Sequence, residues 1–251
     1  MNRSSSSSKA LWIKSADSKM SEVPEDFSKT FYPFLREGGG GREDQEGRDN
    51  LMGELSSALV AKAHESAEIK KRFFEENKET ILQASLVMAR AFHCGRKLLV
   101  CGNGGSATDA GHIATEFMHP ITVGRRALPA ISLTNDAATM TAVANDVSYA
   151  DVFVRQIIAL GKTGDMFLGV STSGNSENLL RAFETAKRMG LITIGYAAGD
   201  GGRMCLSAAV DFCLTIPTAS VHHAQETQVT LYHAMWDLVH ELLGHRPLLE
   251  D

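Results

Sequence analysis

The chain holds 251 residues, 43% of them hydrophobic and 22% charged, with a formal net charge of −5 and a pI near 6.0. That length suits one α/β domain with an appendage, and the acidic balance argues against a nucleic-acid-binding surface. No apolar run approaches the roughly 18 residues a membrane span needs, so a soluble, cytoplasmic protein with no membrane partner is expected.

Residues 1–49 carry the runs Ser4 to Ser8 and Gly38 to Gly41 and no sustained periodicity. Such a composition buries too little apolar surface to offset its ordering entropy. It predicts a disordered, low-complexity extension (1–49) ahead of a domain over 50–246, with 247–251 as a tail. From Leu51 to His93 the apolar spacing is helical: Leu55, Leu59, Ala63 and Ala67 form one stripe, and Ile81, Ser85, Met88 and Phe92 another. The polar stretch Glu75 to Lys78 predicts a break between two helices.

Leu98 to Cys101 is an apolar run too short for a buried helix. Gly102-Asn103-Gly104-Gly105 follows, and then a segment of helical period, so the order is strand, loop, helix. The glycines permit positive φ and close approach of a ligand to the backbone. Ser106 and Asp109 stand at capping-box spacing, which predicts the helix start, and free N–H groups there suit a phosphate. His112 and Glu116, at i and i+4, share one helix face, a pairing that suits metal binding or acid–base work.

His119-Pro120 stops that helix. Leu128 to Thr134 reads as a second strand, Ala137 to Ala144 as a helix ending at Asn145-Asp146, and Asp151 to Leu160 as another helix. A third strand, Asp165 to Val170, runs into Ser171-Thr172-Ser173-Gly174-Asn175-Ser176 and a helix from Glu177 to Arg188. Hydroxyl donors ahead of a helix N-terminus make a second phosphate cradle. Leu191 to Tyr196 and Val210 to Ile216 complete five strands. The last helix, about His222 to Leu243, carries Gln225, His233 and His240. The histidines at 119, 222, 223, 240 and 245 are expected at the surface or an interface. Cys94, Cys101, Cys205 and Cys213, with no CxxC spacing, are expected to be reduced core residues.

Five short strands alternating with helices predict a three-layer α/β/α sandwich around a five-stranded parallel, doubly wound sheet, preceded by N-terminal helices. In such sheets ligands bind beyond the carboxyl ends of the strands, where both loops lie, so the two motifs should meet in one site.

The loop Cys101-Gly102-Asn103-Gly104-Gly105-Ser106, the pair His112 and Glu116, the turn Asn145-Asp146, the segment Ser171 to Ser176, and Gln225 with His233 together resemble the phosphoheptose isomerases. These are flavodoxin-like SIS (sugar isomerase) domain proteins that convert sedoheptulose 7-phosphate to D-glycero-D-manno-heptose 7-phosphate. The resemblance covers about Leu51 to Leu243. It implies Glu116 as base and His233 as acid. It further implies Ser171, Thr172, Ser173 and Ser176 as the phosphate cradle, with Asn103, Gly104, Gly105, Asn145, Asp146, Glu116 and Gln225 around the sugar. His112, Glu116, Gln225 and His233 match the family's zinc positions, with one ion per subunit, and the family is homotetrameric with active sites at subunit contacts. The chain departs from the pattern at His223 to Gln228, where the family's arginine and first histidine are absent. Gln225 and His233 are eight residues apart, about 12 Å along a straight helix, so either that helix begins after Gln225 or the site is shared between subunits. Two other readings are a non-catalytic scaffold of the replication-initiator-associating type, which has no need of the full ligand and acid–base set, and a sugar-phosphate sensor, which could discard Glu116.

Overall fold

The computed structural model describes residues 45–249; the expected disorder of the N-terminal extension concerns residues that lie almost wholly outside this span. Internal contacts divide the chain into two units, 1–55 and 56–251, and the second holds the sheet, both cores and every candidate site residue. The first element is the helix α1 (Gln45–His93), which runs for 49 residues without the break expected at Glu75 to Lys78. Those residues include neither Gly nor Pro, and Glu and Lys are good helix formers, so a polar stretch only turns the exposed face outward. The buried side chains of α1 begin at Ser66 and include Ile69, Phe73, Ile81, Met88 and Phe92.

Five parallel strands follow: β1 (Leu98–Gly102), β2 (Ala130–Ser132), β3 (Met166–Val170), β4 (Ile192–Ala198) and β5 (Phe212–Ile216). Their order is β2-β1-β3-β4-β5. Leu99 pairs in register with Ile131 on one side and Phe167 on the other. The helices between them are α2 (Gly105–Met118), α3 (Ala137–Asp146), α4 (Val154–Leu160), α5 (Glu177–Arg188), the short α6 (Gly202–Leu206) and α7 (Val221–Gly244). The sequence places α6 in no element, because five residues show no period. A 3₁₀ turn at Tyr149–Asp151 replaces the start of the helix expected from residue 151.

Alternate strand residues face opposite layers, and the two cores show it. Leu98, Val100, Met166 and Leu168 pack with Phe73, Met88, Ile113, Phe117, Met235 and Val239 from α1, α2 and α7. Leu99, Cys101 and Phe167 pack with Phe153, Ile157, Leu179 and Phe183 from the other side. Both faces are covered, as the near-continuous apolar strands require.

The cysteines correct the reading of four reduced core thiols. Cys205 on α6 and Cys213 on β5 form a disulfide, since α6 lies against that strand with the two Cα atoms 5.4 Å apart, inside the range a bridge spans. Cys101 is free and buried, and Cys94 is free but exposed. Two histidines also differ from expectation. His240 is buried between Phe117 and Trp236, and His223 is buried in the first turn of α7. No described helix is long and apolar enough to cross a membrane.

Candidate active site

The sheet reverses its winding between β1 and β3, the point where a doubly wound sheet opens a crevice beyond its carboxyl ends. The loop that leaves β1 and the first turn of α5, after β3, are tied across that crevice by a reciprocal amide pair. Asn103 Nδ2 donates to Asn178 Oδ1 at 3.0 Å, and Asn178 Nδ2 returns a bond to Asn103 Oδ1 at 2.8 Å. Tyr149 Oη adds a third bond to Asn103 Oδ1 at 2.9 Å. The sequence singles out Asn103 but gives no sign of Asn178 or Tyr149, whose partners lie 75 and 46 residues away.

A cavity of about 120 Å³ sits between the loops, lined by Asn103, Ser106, Ser171, Thr172, Ser173 and Ser176. Within it the backbone orders the hydroxyls. Gly174 N–H donates to Ser171 Oγ at 3.0 Å and Asn175 N–H to Ser173 Oγ at 3.2 Å, which leaves both hydroxyl protons for a ligand. Ser176 is the N-cap of α5 and makes no side-chain cap bond, so its hydroxyl is uncommitted at the positive end of that helix. Gly174 has φ +63° and backs onto Gly201, where a Cβ would collide with the carbonyl oxygen. Met204 N–H bonds Gly174 O at 2.9 Å and Gln228 Nε2 bonds Ser171 O at 2.8 Å. The serine loop is thus held from behind by α6 and α7.

The other loop corrects the capping-box expectation. The N-cap of α2 is Gly104, with φ +56° and no side-chain cap bond, so Ser106 is already inside the first turn. Asp109 is buried, and burial raises its carboxyl, partly offset by His112. Gly105 packs against α7, where a Cβ would meet Gln225 Nε2, the free end of a flexible side chain that can swing aside.

One turn on, α2 presents His112 and Glu116 to α7. His112 Nε2 lies 3.1 Å from Glu116 Oε1, and the His112 and His233 rings are 5.2 Å apart, edge to face. One donor atom each from His112, Glu116 and His233 lies within 4.8 Å of the others. Two imidazoles and a carboxylate at that spacing are donors that fit a divalent metal ion such as zinc. Two residues unmarked by the sequence frame the group: Tyr232 Oη is 2.7 Å from His112 Nδ1, and Trp236 Nε1 donates to Glu116 O at 2.8 Å. Burial, then the charges of Asp109 and Glu116, push the Tyr232 phenol up.

Three of the four expected metal positions therefore meet within one chain. Gln225 lies beside Gly105, and α7 is continuous from Val221, so the alternative of a helix beginning after Gln225 is excluded. Asn145 and Asp146 end α3, exposed, and bond each other at 2.7 Å; they do not line the serine cavity. A larger cavity of about 390 Å³, lined by His93, Arg125, Arg126 and His240 among others, includes no residue of either loop.

The profile of the SIS domain matches residues 63–198. The phosphoheptose isomerase of Thermodesulfovibrio yellowstonii is 41% identical over 194 residues, covering 77% of this chain and 96% of that one. Among solved structures, a phosphoheptose isomerase from Francisella tularensis aligns with TM-score 0.71 and 31% identity, over 74% of this chain and 98% of its own. The Neisseria gonorrhoeae phosphoheptose isomerase gives 0.68 and 34% over the same shares. A flavodoxin-like sheet carrying two phosphate-type loops and a His/Glu/His group belongs to an isomerase of the SIS domain family. Within that family the chain falls in the phosphoheptose isomerase group.

Proposed function

We propose that this isomerase interconverts D-sedoheptulose 7-phosphate and D-glycero-D-manno-heptose 7-phosphate, a step toward heptose precursors. The observation that carries the reading is the convergence of a carboxylate and an imidazole, Glu116 and His233, from two helices, the first of which, α2, also borders the hydroxyl-lined cavity at Ser106. Ser171, Thr172, Ser173 and Ser176, with the α5 N-terminus, bind the phosphate. Asn103, Gly104, Gly105 and Gln225 line the sugar, with Asn145 and Asp146 completing its surround.

An aldose and a ketose differ by one proton between adjacent carbons and one between their oxygens. Glu116 takes the C1 proton of the ketose, giving an enediol, and returns it to C2. His233 gives a proton to the C2 oxygen as the carbonyl becomes hydroxyl, and the proton from the C1 oxygen restores it. His112, Glu116 and His233, with Gln225 as the fourth donor, would hold one zinc ion per subunit. Bound zinc supplies Lewis-acid polarisation of the carbonyl.

We further assign a homotetramer with sites at subunit contacts. The exposed Leu59 and Val60 of α1, 71% and 53% open, support an interface on that helix. The test is turnover of sedoheptulose 7-phosphate by the purified chain beside Glu116→Gln. Turnover lost in the variant, with sugar-phosphate binding kept, supports the reading; a parent that binds and never turns over refutes it.

A further inference from the structure

His112 offers its two nitrogens to two different partners. Nε2 faces Glu116 Oε1 at 3.1 Å and Nδ1 faces Tyr232 Oη at 2.7 Å. A carboxylate only accepts, so the neutral ring carries its proton on Nε2 and its lone pair on Nδ1, and Tyr232 donates. In that tautomer Nε2 has no lone pair for a metal ion. Ligation through Nε2 needs the proton on Nδ1, and Nδ1–H then needs an acceptor, as the second partner of metal-bound histidines generally supplies. A phenol oxygen can do both.

We propose that Tyr232 is the positioning residue that holds His112 in both states. It donates to Nδ1 while the group is metal-free, and it accepts from Nδ1 when Nε2 turns its lone pair to an ion between Glu116 and His233. One proton leaves Nε2 and one reaches Nδ1 through solvent, to which the His112 side chain is 45% open.

The surroundings suit this role. Tyr232 is 3% exposed, and its ring lies edge-on to both imidazoles, 5.2 Å from His112 and 4.7 Å from His233. The hydroxyl therefore has a fixed position. Among the described residues it bonds only His112. Asp109, one turn earlier on α2, has a buried Oδ2 with no partner among the described residues, and its charge acts on the phenol.

This inference rests on the metal-binding reading of His112, Glu116 and His233, and the experiment separates the two. Tyr232→Phe keeps the ring and removes the hydroxyl. Side-chain ¹⁵N shifts of His112 in the metal-free full chain should show the Nε2–H tautomer in parent and variant, since Glu116 accepts in both, with the Nδ1 resonance moved downfield in the variant, where no hydroxyl donates to it. Competition titration should show one zinc ion per parent chain and about 10–100-fold weaker binding in the variant. A variant with the parent's Nδ1 shift or the parent's zinc affinity overturns the role of Tyr232. His112→Ala is the control for the metal itself. If it binds zinc as the parent does, or neither binds, the metal reading falls, and the ¹⁵N shifts still decide whether Tyr232 bonds Nδ1.

Discussion

At the amino end of β4, Asp211 fastens Thr193 and Lys187 to the loop ahead of β5. Its Oδ2 accepts from Thr193 N–H and Oγ1, each at 3.0 Å, and Lys187 Nζ bonds Oδ1. Burial pushes this carboxyl up, but the bonds from Lys187 and Thr193 pull it below the usual carboxylate range. The lysine pair is largely solvated and contributes little; the two bonds to the buried threonine contribute about 1 kcal/mol each. Asp211→Ala should therefore cost about 1–2 kcal/mol in urea unfolding at pH 7. Because the folded pKa is the lower one, that contribution is complete above the unfolded value near 3.9 and fades as pH falls through the folded value. The gap between parent and variant should close in acid; a gap that stays constant to about pH 2 would contradict the assignment. In the active site the same scale gives a kinetic expectation. Glu116→Gln and His233→Ala should each lower kcat by about 10²–10⁴-fold, the usual worth of a positioned acid or base, and a KM change with kcat intact would remove that residue from the chemistry.

Among the elements, the serine loop is where geometry constrains sequence most. Gly174→Ala places a Cβ at a positive φ and against the Gly201 carbonyl, a strain of order 1–3 kcal/mol that the loop can relieve only by moving its hydroxyls. The variant should lose affinity for inorganic phosphate about 10-fold or more, read by calorimetry, while its far-UV circular dichroism stays that of the parent. Unchanged phosphate affinity would place the anion elsewhere. Both glycine and serine loops are legible in the sequence because short apolar runs, glycines and hydroxyls sit next to each other along the chain. The residues that face them are not. Asn178 meets Asn103 and Tyr232 meets His112 across 75 and 120 residues, and no local period encodes such a pairing. The expected break at Glu75 to Lys78 shows the opposite error, in which a polar stretch is read as an interruption although its residues favour helix. The capping box at Ser106 and Asp109 has the right spacing, yet Gly104 opens the helix sooner and burial claims Asp109.

For the whole molecule, the sheet order and both cores follow from alternating apolar strands that must be covered on both faces. The proposed tetramer places a contact on α1, where exposed Leu59 stands in the apolar stripe with Leu55. Sedimentation of the purified chain should give a tetramer, and Leu59→Glu should shift it toward smaller species with the sheet intact; a parent that sediments as a monomer would contradict the assembly. Catalysis by this fold is tested by turnover of sedoheptulose 7-phosphate by the zinc-loaded parent beside Glu116→Gln and His233→Ala. Turnover that collapses in both folded variants is the predicted result. Tight binding of the sugar phosphate with no turnover by the parent would contradict it.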